Sequence, residues 1–168
     1  MSRKLGVEEA LDIAMEAELK AQAFYAQAAV EIQDPSGRDL VGRLAAFEQY
    51  HYQWLSDLAR SLRENGRFIA YEARAVEQFA PLIGSGQTTG TSSAELKEPA
   101  DILIKAIEFE KTAGERYRVL AEETTDPDGR DMFRKLANEE MIHQSVLEHE
   151  FFVLSNQGVW GWLGMYGD

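Results

Sequence analysis

The 168 residues contain only three histidines, and two of them follow a glutamate by three positions. These motifs are Glu48-Gln49-Tyr50-His51 and Glu140-Met141-Ile142-His143. On a helix this spacing places a carboxylate and an imidazole on one face, a turn apart. Oxygen and imidazole donors arranged in this way suit a divalent metal ion. The motifs stand 92 positions apart, and the same offset relates Glu18 to Glu110 and Tyr25 to Tyr117. The third histidine, His149, has no such pattern and is expected at the surface. The competing explanation is a solvated acidic helix face with histidine at its edge. It fares poorly because each glutamate interrupts an otherwise apolar stripe, and charged residues are rarely tolerated at core positions.

Four segments with a helical apolar period must carry these side chains. They run from about Val7 to Ile32, Arg38 to Arg63, Ala100 to Glu123 and Arg130 to Ser155. The expected inward stripe of the first reads Leu11, Met15, Glu18, Gln22, Tyr25, Ala29. The second reads Leu40, Leu44, Glu48, His51, Leu55, Leu58, Leu62. The third reads Leu103, Ile107, Glu110, Gly114, Tyr117, Ala121, and the fourth Met132, Leu136, Glu140, His143, Leu147, Leu154. Asp34-Pro35-Ser36-Gly37-Arg38-Asp39 joins the first pair, and Asp126-Pro127-Asp128-Gly129-Arg130-Asp131 joins the second. Such turns stop one helix and cap the next, giving antiparallel hairpins. Arg38 and Arg130 are expected to act structurally in them.

Residues 14–58 align without a gap on 106–150, with identities from Ala14/Ala106 to Leu55/Leu147. A duplicated hairpin implies pseudo-twofold symmetry and an all-α, antiparallel four-helix bundle. The bundle is expected over residues 1–155. A long crossover spans 65–99, with a short helical candidate at Tyr71–Phe79 and a loop at Gly84–Ser93. An aromatic, glycine-rich tail spans 156–168, where Trp160, Trp162 and Met165 read as packing or oligomer contacts. A homodimer or higher homo-oligomer is therefore expected.

Four glutamates gathered inside such a bundle repel one another, and unpaired burial costs several kcal/mol per ion. Two divalent cations would neutralise them, moving the formal protein charge of −12 to about −8. One glutamate from each of two helices, with Glu-x-x-His from each of the other two, is the ligand set of di-iron and di-manganese carboxylate bundles. The candidate ligands are Glu18, Glu48, His51, Glu110, Glu140 and His143. The cations expected are two Fe ions, with Mn or Zn able to enter the same site. Tyr25 and Tyr117, two turns beyond their glutamates, either pack in the core or bond a ligand carboxylate in a supporting catalytic role. Glu16, Glu108 and Glu139 lie beside the motifs and are expected in water.

Charge and composition narrow the alternatives. With 17 basic against 29 acidic residues, the chain repels phosphate backbones, so nucleic acid is not an expected partner. No cysteine occurs, which excludes disulfides, thiolate metal sites and a thiol nucleophile. No apolar run reaches the roughly 20 residues of a bilayer span, and no secretory signal follows Met1. A cytoplasmic protein with no membrane partner is expected.

In Glu18 with Tyr25, Glu48 to His51, Glu110 with Tyr117 and Glu140 to His143, the chain resembles the rubrerythrin-like branch of the ferritin-like superfamily. That resemblance implies a non-haem dinuclear iron centre in an oxidoreductase that reduces peroxide or dioxygen. It implies that Glu48 and Glu140 bridge the metals, while Glu18, Glu110, His51 and His143 are terminal ligands. Rubrerythrins proper carry a four-cysteine rubredoxin domain that feeds electrons to the centre. Without cysteine, this chain needs a separate electron-donor protein. Rubrerythrins also carry an extra glutamate on the third helix, where this chain has Ile107, Ala113 and Gly114, so its ligand set is closer to symmetric. Two other readings are a ferroxidase, iron store or iron buffer without turnover, and a non-catalytic helical scaffold.

Overall fold

The computed structural model describes residues 6–71 and 97–162. The described residues form four helices: α1 (Val7–Glu31), α2 (Pro35–Asn65), α3 (Lys97–Glu123) and α4 (Pro127–Gln157). Three of the four run two or three residues past the apolar pattern at one or both ends, and at the starts of α2 and α4 this is because the turn prolines begin the helices. Pro35 and Pro127 take the first helical position, where the missing N–H is not needed. Asp34 caps α2 by accepting from the Ser36 and Gly37 N–H groups, and Asp126 caps α4 by accepting from Gly129 N–H. Arg38 donates to the Ile32 and Gln33 carbonyls, and Arg130 to the Thr125 carbonyl. Both arginines thus satisfy carbonyls left over at the end of the preceding helix, the structural role expected of them.

Two apolar clusters fill the bundle, one towards each end. The first joins the early part of α1 (Leu11, Ala14), the late part of α2 (Leu55, Leu58), the late part of α3 (Tyr117, Leu120) and the early part of α4 (Met132, Phe133, Leu136). The second joins the opposite halves: Tyr25 and Ala28 of α1, Leu40 and Leu44 of α2, Leu103 and Ala106 of α3, and Leu147 and Leu154 of α4. Helix α2 therefore ends, and α3 begins, at opposite ends of the bundle. The helical candidate expected at Tyr71–Phe79 lies outside the described residues apart from Tyr71, which is not helical. The loop Gly84–Ser93 and Met165 lie outside them altogether. On α1 the buried stripe is Leu11, Ala14, Glu18, Ala21, Tyr25 and Ala28, whereas Met15, Gln22 and Ala29 are only half-buried. With Ala14, Ala21 and Ala28 inward, the buried face of α1 is turned slightly from the expected one.

The pseudo-symmetry continues beyond the aligned hairpins. Gly66 and Gly158, again 92 apart, both adopt the left-handed conformation that ends α2 and α4, with φ of 64° and 71°. Their N–H groups donate to the Leu62 and Leu154 carbonyls. After each turn an aromatic side chain covers the interhelix turn of the opposite hairpin: Phe68 lies against Gly129, and Trp160 against Gly37. Trp162 is buried, and its indole N–H donates to Asp39 at 2.7 Å. Of the two roles expected for the tail aromatics, Trp160 and Trp162 thus serve packing within the chain. No helix among the described residues is long and apolar enough to cross a membrane.

The caps give a direct check. Asp34→Ala and Asp126→Ala should each cost about 1 kcal/mol, read as a lower urea midpoint with an unchanged slope. Asp128→Ala, on a solvent-facing first-turn residue, should cost less than half as much.

Candidate metal centre

Between the two apolar clusters lies a polar layer. Glu18, Glu48, Glu110 and Glu140 are each at most 2% exposed, and His51 and His143 are fully buried. All six residues expected as ligands meet there. They form two overlapping groups whose ligand atoms lie within 4.8 Å of one another: Glu18, Glu48, His51 and Glu140, and Glu48, Glu110, Glu140 and His143. Glu48 and Glu140 belong to both groups. Each Glu-x-x-His motif therefore contributes its carboxylate to both groups and its imidazole to one.

The imidazoles face the cluster through Nδ1. His51 Nδ1 is 3.1 Å from Glu140 Oε1 and 3.7 Å from both Glu18 Oε2 and Glu48 Oε2. His143 Nδ1 is 3.1 Å from Glu140 Oε2, 3.4 Å from Glu110 Oε2 and 3.8 Å from Glu48 Oε1. The two rings are nearly parallel, with centroids 5.9 Å apart. Among the described residues, His51 Nδ1, Glu48 Oε1 and Glu140 Oε1 are buried and make no well-aligned hydrogen bond, even though the first and last lie 3.1 Å apart. Orphaned buried donor and acceptor atoms are rare in native folds and call for an explanation. Divalent cations satisfy all three at once and neutralise the carboxylates, so the residues present fit a dinuclear metal site.

Tyr25 and Tyr117 are fully buried and bonded to ligand carboxylates. The partners cross between hairpins: Tyr25 donates to Glu110, and Tyr117 donates to Glu18. Burial, together with the nearby carboxylates, holds both phenols well above their ordinary pKa. They therefore stay protonated as donors. One oxygen of each outer glutamate is thus fixed, leaving the other to face the centre.

The structure corrects one assignment. Glu139, expected in water, is 2% exposed and accepts from Tyr71. Its Oε2 also lies 3.2 Å from His51 Nε2. The cause is the chain beyond α2: Gly66 turns it back, Ser61 bonds the Arg67 carbonyl, and Trp54 bonds the Ala70 carbonyl. Tyr71 is thereby laid over the flank of α4, where Glu139 would otherwise meet water. The repeat held the signal, because Glu139 aligns with Phe47 and an aromatic residue there marks an inward position. Glu150 likewise aligns with the fully buried Leu58 and is buried, accepting from Gly161 N–H. Glu16, Glu108 and His149 are exposed, as expected.

A groove of about 430 Å³ runs between α1 and α3. Ile13, Ala17, Ala21, Phe109 and Ala113 wall it, and it reaches down to Glu18. Lys20, Lys105 and Arg116 also border it.

The electrostatics of the cation-free cluster follow from crowding. Burial, with Glu140 next, raises Glu48 well above the carboxylate range and Glu110 to about 7. Burial would also raise Glu140, but the His51 and His143 rings beside it hold it well below that range. Burial would lower the histidines, yet Glu140 holds His51 well above its ordinary value, and Glu110 holds His143 at about 9. Folded Glu110 holds its proton more tightly than the unfolded chain does. Its contribution to stability is full below 4.5 and disappears as pH rises through about 7. That of His143 is full below 6.5 and disappears as pH rises through about 9. Glu140 acts oppositely, contributing above 4.5 and losing its effect on acidification. Metal-free protein should therefore have its highest urea midpoint near pH 4.5 and lose stability steadily from there towards pH 9. A midpoint that climbs from pH 6.5 to 9 would contradict this charge arrangement.

Comparison with known proteins agrees with the geometry. Residues 101–156, which cover most of the second hairpin, match the rubrerythrin family. No curated protein matches the chain. A hypothetical protein from Pyrococcus furiosus has the same fold, with a TM-score of 0.68 at 24% identity over 90% of this chain and 92% of that one. The second hairpin is thus similar to the rubrerythrin family, and with the ligand motif present in both hairpins the chain is a four-helix-bundle protein with a buried Glu/His cluster suited to metal.

Proposed function

We propose that this chain is a dinuclear non-haem iron oxidoreductase that reduces peroxide or dioxygen with electrons from a separate protein. The observation that carries this reading is the pair of overlapping four-residue groups sharing Glu48 and Glu140 in a layer sealed by apolar clusters. In it, Glu18 and His51 would hold one iron, Glu110 and His143 the other, with Glu48 and Glu140 serving both. A pair of ferrous ions supplies the two electrons needed to cleave a peroxide O–O bond.

The chain's own residues do the rest. Tyr25 and Tyr117 hold the outer carboxylates in place across the hairpin boundary. Leu44 and Leu136 are fully buried in the clusters on either side and keep bulk water from the layer. The groove beside Glu18 admits a small oxidant between α1 and α3. Its apolar wall of Ile13, Ala17, Ala21, Phe109 and Ala113 is bordered by Glu16, Lys20, Lys105, Glu108 and Arg116, and its width suits a small molecule such as hydrogen peroxide. The 168 residues hold no cysteine for a rubredoxin-type iron, which supports a separate electron donor, and the excess of acidic residues would favour a donor with a basic face.

Purified protein should bind about two equivalents of iron or manganese per chain. Glu48→Ala or Glu140→Ala should weaken metal binding by more than about 100-fold. Glu16→Ala, on an exposed residue paired with Lys20, should leave it unchanged. Equal binding by all three variants would mean that the wrong acids have been chosen. Protein loaded with Fe(II) without oxygen should change its absorbance within seconds of adding peroxide, and a chemical reductant should reset it. A loaded protein that ignores peroxide, or that accumulates iron well beyond two per chain, would favour storage over reduction.

A further inference from the structure

The duplicated hairpins make the two halves of the centre nearly equivalent, but one pair of aligned residues breaks the symmetry next to the histidines. Behind His51 stands Glu139, with Oε2 3.2 Å from Nε2 and the Tyr71 hydroxyl donating to the same oxygen. At the matching place behind His143 stands Phe47, whose ring centroid lies 4.9 Å from the imidazole. The same sequence position thus offers a carboxylate to one histidine and a phenyl ring to the other.

The consequence follows from imidazole chemistry. A carboxylate accepting from Nε2–H fixes the tautomer whose lone pair sits on Nδ1, the nitrogen that faces Glu18, Glu48 and Glu140. It also makes that lone pair more basic and locks the ring plane. Tyr71 holds Glu139 in turn, so the chain beyond α2 helps to orient His51. Phe47 can hold its ring by packing but supplies no negative charge.

We infer that Glu139 is a positioning residue that makes the two metal positions unequal. The cation held by Glu18, Glu48, Glu140 and His51 binds more tightly than the one held by Glu48, Glu110, Glu140 and His143. The inference rests on the dinuclear reading above and adds an order of filling to it.

The test uses the full chain stripped of metal and titrated with Mn(II) by calorimetry. Crystals grown with one equivalent per chain then locate that cation by anomalous scattering. Wild type should bind in two steps, with the first cation beside His51. Glu139→Leu should weaken the tighter step by about 10- to 100-fold and leave the weaker one unchanged. Glu139→Gln, whose amide oxygen still accepts from Nε2–H but carries no charge, should recover part of that loss. Tyr71→Phe should weaken the same step by about two- to tenfold, and it carries the test if Glu139→Leu does not fold. The inference is overturned if the first cation sits beside His143, if both steps weaken together, or if neither Tyr71→Phe nor Glu139→Leu changes the tighter step. Failure of wild type to bind any cation would instead overturn the dinuclear reading itself.

Discussion

Four carboxylates and two imidazoles share one layer inside a bundle that is otherwise apolar above and below it. Buried like charges at such short range cannot all remain ionised without compensation, and the cation-free cluster relieves them by holding protons on Glu48, Glu110 and the histidines. That remedy leaves His51 Nδ1, Glu48 Oε1 and Glu140 Oε1 without well-aligned hydrogen bonds. Two divalent cations would supply both the charge and the missing contacts. The rest of the architecture follows from keeping this layer dry, crowded and in register.

Duplication is how the fold does it. Each hairpin presents a lone glutamate on its first helix and Glu-x-x-His on its second, and the pseudo-twofold axis brings the copies face to face. The hairpins hold one another at three levels. Tyr25 and Tyr117 exchange hydrogen bonds with the opposite hairpin's outer glutamates. The apolar clusters each draw on all four helices. Phe68 and Trp160 cover the opposite interhelix turns. A shift of one hairpin along the other would disturb all three at once, so the ligand geometry is tied to the packing of the whole bundle.

The departures from symmetry are as informative as the repeat. Glu139 and Glu150 replace apolar residues of the first hairpin, and both stay buried because each finds a partner. Glu150 accepts a backbone N–H from the chain beyond α4 and so helps to seat that segment. Glu139 sits against a candidate ligand, so its substitution changes the chemistry of one metal position and not only the packing. Its distinction from Glu16, an exposed acid on α1 paired with Lys20, lies in the surroundings and not in the residue type.

Much of the fold was legible in the sequence because its determinants are local or repeated. Apolar period, turn residues and the 92-residue offset identify four helices, two hairpins and the six candidate ligands, since a glutamate on an apolar stripe is conspicuous whatever surrounds it. The sequence alone left the role of the tyrosines open, because a hydroxyl's partner lies some 85 to 99 residues away along the chain. It misplaced Glu139 because helical period describes one element at a time. Whether that flank of α4 meets water depends on a segment from another part of the chain folding over it. Tertiary structure decided which atoms face inward, which nitrogen of each histidine meets the carboxylates and which buried acids find partners, because those outcomes depend on long-range packing and desolvation that no local pattern encodes.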